Sequence, residues 1–270
     1  MKNLMIKIGL TGGILTLGAI LVAAQGGAPS TSVPEAAEGL NLYAVAETFT
    51  DSGDLEKFEK ALNSPENGIN NLDLNNDGAV DFVRVTEQLK DDTHLIVLQT
   101  PLGDEDFQDV AMIAIEREAG DKYNLQIQGD ATIYGAEYYV VPANNNFSAW
   151  NVVRSIFRSG YRAYVSPFDY RTRPRWWNVR RPVALSVYRS RTGIFAGRRN
   201  FVTSKTVTVK TINKINYRPR ASVLLTKKNK ITRTVTTNKP RNPPQTQTTV
   251  KQNTQPRPNP RAGGNRRGKN

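Results

Sequence analysis

Cysteine is absent from the 270 residues, histidine occurs once, at position 94, and Asp169 is the only acidic residue after position 146. Without cysteine there is no disulfide framework, thiolate metal site or cysteine nucleophile. One histidine excludes a histidine cluster for a transition metal and leaves a serine triad only one ring to use. Long apolar runs are also missing after the first two dozen residues. There Lys2 and Lys7 precede the apolar stretch Ile8 to Val22, and Val22-Ala23-Ala24 offers small residues for cleavage. This predicts a signal peptide over 1–24, cut before Gln25, and hence a secreted, periplasmic or envelope-associated protein. The alternative is an uncleaved anchor, but about 15 apolar-leaning residues fall short of the roughly 20 that a spanning helix needs.

What is present is divided by charge. Residues 25–146 carry 6 basic and 23 acidic side chains, net −17, and residues 147–270 carry 29 basic and one acidic, net +28. The formal charge of +13 describes neither half.

After a flexible linker (25–39), the acidic part (40–146) reads as one folded unit. Leu42, Val45, Ala46 and Phe49 fall on one helical face. Asp54 is placed to cap a second helix bearing Leu55, Phe58 and Leu62, which Pro65 and Gly68 end. Strands are predicted at Val80 to Leu89, His94 to Thr100, Val110 to Glu118, Lys122 to Gln128 and Glu137 to Val141. Their short connections permit only antiparallel neighbours. The fold class expected is α+β: a small antiparallel β-meander with two N-terminal helices, followed by a largely disordered basic tail.

The sharpest motif is Asp73-Leu74-Asn75-Asn76-Asp77-Gly78-Ala79-Val80-Asp81. Oxygen-bearing side chains at every second position of a curled loop turn inward around one hard cation. Asp73, Asn75, Asp77 and Asp81 would supply side-chain ligands and Ala79 its carbonyl, with calcium as the ion. Arg84 stands where an EF-hand has its bidentate glutamate, and a strand follows where an EF-hand has a helix. The alternative is an Asn-Asp-Gly turn that binds nothing. The loop resembles the strand-flanked calcium loops of integrin-type propeller repeats, in a single copy. The wider pattern resembles uncharacterised secreted bacterial proteins that join such a loop to a basic, aromatic C-terminal tail. Asn71 to Val85, Gln108 to Glu116 and Ile127 to Gly135 carry that likeness, which implies no activity.

Two other features of the acidic part are read as structural. The cluster Asp104, Glu105, Asp106 and Asp109 is taken as a solvated loop rather than an acid–base pair, and His94 as a structural or surface residue.

Residues 147–201 hold 12 of the 22 aromatics, among arginines. Ser148 is placed to cap a short helix carrying Trp150, Val153 and Phe157. Arg171, Arg173, Arg175, Trp176, Trp177, Arg180 and Arg181 combine guanidinium donors with stacking surfaces suited to polyanions. In the alternative reading these aromatics pack on the acidic unit and the arginines meet its carboxylates. Residues 202–270, with 17 basic side chains, seven prolines and Tyr217 as their one aromatic, are expected to be disordered. The resulting expectation is an exported, non-enzymatic calcium-binding protein. Its partners are an anionic polysaccharide, lipopolysaccharide or extracellular nucleic acid, and its own acidic head in cis. Non-specific nucleic-acid binding is the alternative, and a hydrolase a more remote one.

Overall fold

The computed structural model describes residues 38–119, 122–144 and 149–227. The signal-peptide assignment, Ser148 and the tail from residue 228 lie outside the described residues. Asn41 caps α1 (Leu42–Asp51) by accepting from the N–H groups of Tyr43 and Ala44 at 2.9 and 3.2 Å. Asp54 does the same for α2 (Leu55–Asn63) through the N–H of Lys57 at 2.8 Å. The apolar faces predicted for both helices are buried, and Phe49 meets Phe58 edge-to-face at 5.2 Å.

Six strands follow in simple meander order, all antiparallel: β1 (Arg84–Lys90), β2 (Thr93–Gly103), β3 (Asp106–Glu118), β4 (Lys122–Gly129), β5 (Tyr139–Pro142) and β6 (Phe201–Ser204). The expected α+β meander preceded by two helices is therefore present, with one strand more than the sequence suggested. Between β4 and β5 lies α3 (Ala131–Tyr134), whose Tyr134 ring lies so close to Gly129 that a Cβ there would come within 2.5 Å of it. Glycine is thus required at 129. α4 (Asn151–Ile156) and α5 (Leu185–Gly197) complete the elements before β6.

β2 is buried along nearly its whole length, on both faces. Ile96 and Leu98 face the main core, which α1, α2 and α4 cover. Leu95 and Val97 face the other way, against Ala114, Val209 and Ile215. That second cover comes from the first part, 202–227, of the stretch expected to be disordered. Residues 201–227 form β6, a 3-10 helix (Lys210–Lys214) and a helical turn at 223–227, and cross the sheet's second face. The correction has a physical cause. Few apolar side chains are needed when a preformed apolar strip awaits them and buried acceptors pair their backbone. Asp109 Oδ2 accepts from Tyr217 Oη (2.7 Å) and Arg220 N (2.9 Å), and Gln108 Oε1 accepts from Ser222 N (3.0 Å).

The β1 edge is closed too. Glu87 N donates to Tyr164 O (2.8 Å) and Ser166 N to Val85 O (2.9 Å), so an extended segment from the aromatic region lies along it.

Candidate metal loop and arginine face

The 73–81 segment curls as its spacing predicted. Asn76 and Gly78 both take left-handed backbone conformations, φ 61° and 82°, which tighten the loop at its tip. Asp73 accepts from the N–H groups of Asp77 (3.1 Å) and Gly78 (3.0 Å), and Asp77 Oδ1 from Ala79 N (2.8 Å). Asn75 accepts from Asp77 N (3.0 Å) and donates to Asp77 Oδ2 (2.9 Å), while Asp81 Oδ2 accepts from Leu74 N (2.6 Å). All four predicted side chains therefore turn toward the inside of one loop. Each carboxylate oxygen retains lone-pair capacity beyond the bonds named. Their carboxylates do not converge on one point: among the described residues no three His, Asp or Glu side chains stand close enough together to hold a metal ion. The donor set is all oxygen, which fits calcium in kind. Asp81 is the member under electrostatic tension. Burial pushes its carboxyl up to about 7 against the Leu74 N–H, and the carboxylates of Asp73 and Asp77 push further in the same direction. Arg84 does not close the loop; it opens β1, donates to Ser166 O (3.0 Å) and lies over the Phe107 ring. Strand pairing starts there and not at Val80, because Val80 N is bonded to Arg180 O and Asp81 N to Leu72 O.

The arginine-rich segment docks directly beside this loop. Phe168, Trp176 and Trp177 surround the buried Phe82 ring at 6.0, 6.1 and 5.3 Å, and the Arg173 guanidinium covers it. Arg173 donates to the carbonyl of Asp169. Arg180 stacks over Trp177 and donates to Asn70 O (2.9 Å) and Asn63 O (3.3 Å). Asn71 and Val183 exchange two further bonds. Four of the seven residues assigned to polyanions, Arg173, Trp176, Trp177 and Arg180, are thus half-buried packing groups. The arginines among them bond to carbonyl oxygens rather than carboxylates. Arg171, Arg175 and Arg181 point outward, and only Arg171 is paired, with Asp104.

Among further buried groups, His94 is the structural residue its reading allowed, Glu87 and Glu59 carried no expectation, and Asp109 departs from the solvated loop expected of it. His94 is only 2 % exposed and its Nδ1 lies 2.6 Å from Glu87 Oε1, while its ring packs on Phe157. Glu87 Oε2 accepts from Tyr161 Oη (2.6 Å) and Tyr164 N (2.8 Å). Glu59, on the inner face of α2, accepts from Val85 N (2.6 Å), and burial raises its carboxyl to about 7. Asp109, read as part of a solvated loop, is 1 % exposed and binds Gln99 Nε2 (2.7 Å) as well as the tail; burial raises its carboxyl too. The periodicity held a signal for Glu87, which falls in the inward phase of Val83 and Val85. An acid in that phase needs a partner across the core.

No protein-family model, curated protein or solved structure matches the chain.

Proposed function

We propose that the protein is an exported, non-enzymatic calcium binder whose basic half holds anionic polymers of the cell envelope or matrix. The observation that carries the polymer-binding reading is the charge left over after folding. Ion pairs from Arg171, Arg189 and Arg198 to Asp104, Glu38 and Glu47 tie the basic half to the acidic half. Arg158, Arg162, Arg175, Arg181, Arg199 and Arg218 remain exposed, without an ion pair among the described residues. Guanidinium groups so displayed attract phosphate, sulfate or uronate chains through counterion release. Heparin-like sugar and DNA are therefore expected to bind with similar affinity. Binding should fall by about a thousandfold or more between 50 and 200 mM salt, linearly on logarithmic axes. Arg175→Glu with Arg181→Glu should weaken binding and leave the melting temperature alone, whereas Arg180→Ala should lower the melting temperature. Binding indifferent to salt would end this reading, and a strong preference for duplex DNA over a sulfated sugar of equal charge density would favour the nucleic-acid alternative.

For the loop, Asp73, Asn75, Asp77, Asp81 and the carbonyl of Ala79 would hold calcium, which would supply charge neutralisation and no chemistry. What supports this is the inward set of oxygens and a half-buried Asp81 carboxyl on whose charge those of Asp73 and Asp77 press. A dissociation constant of about 0.1–1 mM is expected, because no twelfth-position glutamate contributes. At ten times that concentration calcium should stabilise the fold by about 1.4 kcal/mol, magnesium should do less, and Asp77→Ala should abolish the response. Titration calorimetry and melting curves at about 5 mM calcium test this. No heat and no melting shift relative to chelator would remove the metal from the proposal.

A further inference from the structure

A cavity of about 280 Å³ opens between the start of α1, α3 and α5. Its lining includes the rings of Tyr134, Tyr138 and Tyr188, with Glu38, Arg189 and Gly193 at the mouth. Tyr134 and Tyr138 stack nearly parallel, 17° apart with centroids at 5.6 Å. Their neighbours fix how the rings are presented. Tyr134 Oη donates to Leu40 O (2.7 Å), and Tyr188 Oη donates to Ile69 O (2.7 Å) while accepting from Asn41 N (2.8 Å). Both hydroxyls are therefore committed to the protein, and what these rings offer a ligand is carbon. At the mouth Arg189 and Glu38 pair at 2.5 Å, one 61 % and the other 21 % exposed. A donor and an acceptor stand side by side there with their charges cancelled.

These features select a ligand. The volume lies just below the range for drug-sized molecules, which limits the occupant to one ring. Aromatic walls ask for a flat apolar face. An adjoining guanidinium and carboxylate match vicinal hydroxyls, each of which both donates and accepts. The cancelled charge gives no advantage to an anion. We propose that this cavity binds a single neutral pyranose ring, as a free sugar or as the end of a glycan. The inference is independent of the calcium loop and of the polyanion surface.

Gly193 provides the test, because a Cβ built there meets no atom within 4 Å and a larger side chain can fill the mouth without displacing the fold. Saturation-transfer NMR on the full chain would use methyl glucoside, methyl galactoside and N-acetylglucosamine at millimolar concentration, with adenosine as a planar aromatic control. One or more of the sugars should receive saturation on its ring C–H protons, and adenosine should not. Gly193→Leu and Tyr138→Ala should each weaken binding about tenfold, with the Gly193→Leu melting temperature no lower than that of the parent. The proposal is overturned if none of the three sugars is saturated, if Gly193→Leu binds like the parent, or if adenosine is saturated as strongly as the sugars.

Discussion

A chain ended after Asn200 is expected to lose its cooperative melting transition, whereas one ended after Lys227 keeps the transition of the full protein. The first removes β6 and everything that crosses the second face of the sheet. Phe201, Val209, Ile215 and Leu225, all 9 % exposed or less, disappear from the interior, and Leu95 and Val97 are uncovered. The Asp109 carboxylate loses Tyr217 Oη and Arg220 N, keeping Gln99, and Gln108 loses its bond from Ser222. Two uncovered aliphatic side chains cost about 1.5–3 kcal/mol each. A buried carboxylate stripped of two donors adds about 1–3 kcal/mol or more. The chain entropy regained by cutting the segment does not help the remaining fold, which has lost its cover. Against a whole-domain stability of roughly 5–15 kcal/mol, the loss is decisive. Melting curves followed by circular dichroism on both truncations check it. Matching midpoints for the two would show that residues 201–227 are an ornament on a self-sufficient head.

Glu87→Ala should cost about 4 kcal/mol or more. The carboxylate sits at the crossing of three segments and holds His94 Nδ1, the Tyr161 hydroxyl and the Tyr164 N–H, the last two from the aromatic region. Alanine leaves three polar groups without their acceptor, at about 1–3 kcal/mol each where water cannot reach, and adds a cavity. Glu87→Gln preserves the volume and one acceptor oxygen, so its loss should be clearly smaller. Urea unfolding of the parent and both variants measures the difference. A loss below about 1 kcal/mol for alanine would mean that water or a shifted side chain replaces the carboxylate at little cost.

The parts of this fold that were legible from sequence are those that local chemistry decides. The helices announced themselves through Leu42, Val45 and Phe49 and through Asp54, because a stripe and a cap lie within one or two turns. The meander was legible because turns such as Asp91-Asp92 leave no room for a crossover. The curl of the 73–81 loop was legible because Asn76 and Gly78 favour the backbone it uses. Local signals misled at Val80 and Phe82, which suit a strand but spend their backbone or ring on the arginine-rich segment. Pro101 looks like the end of β2, yet pairing continues as far as Gly103, with register shifts at Leu98/Gln99 and Pro101/Gly103. The tail was illegible for a deeper reason. Tyr217, Arg220 and Ser222 are ordered by acceptors more than a hundred residues earlier, and composition in a window around them reports only charge and proline. Of the seven arginine and tryptophan positions, type and spacing could not separate the rings that pack on Phe82 from the guanidinium groups that face water.

The closed β1 edge sets a schedule for folding. Glu87 waits for a backbone N–H 77 residues later in the chain, a gap that takes about 4–15 s to span at ordinary rates of synthesis. During that interval the edge strand carries unpaired backbone groups beside the apolar surface that the aromatic segment will cover. Contacts of this separation also slow folding once the chain is complete. The vulnerable species is therefore the half-made chain, whose open edge can pair with another copy. In the finished protein the arginine-rich half, besides carrying the positive charge, removes the surface on which its own head would aggregate.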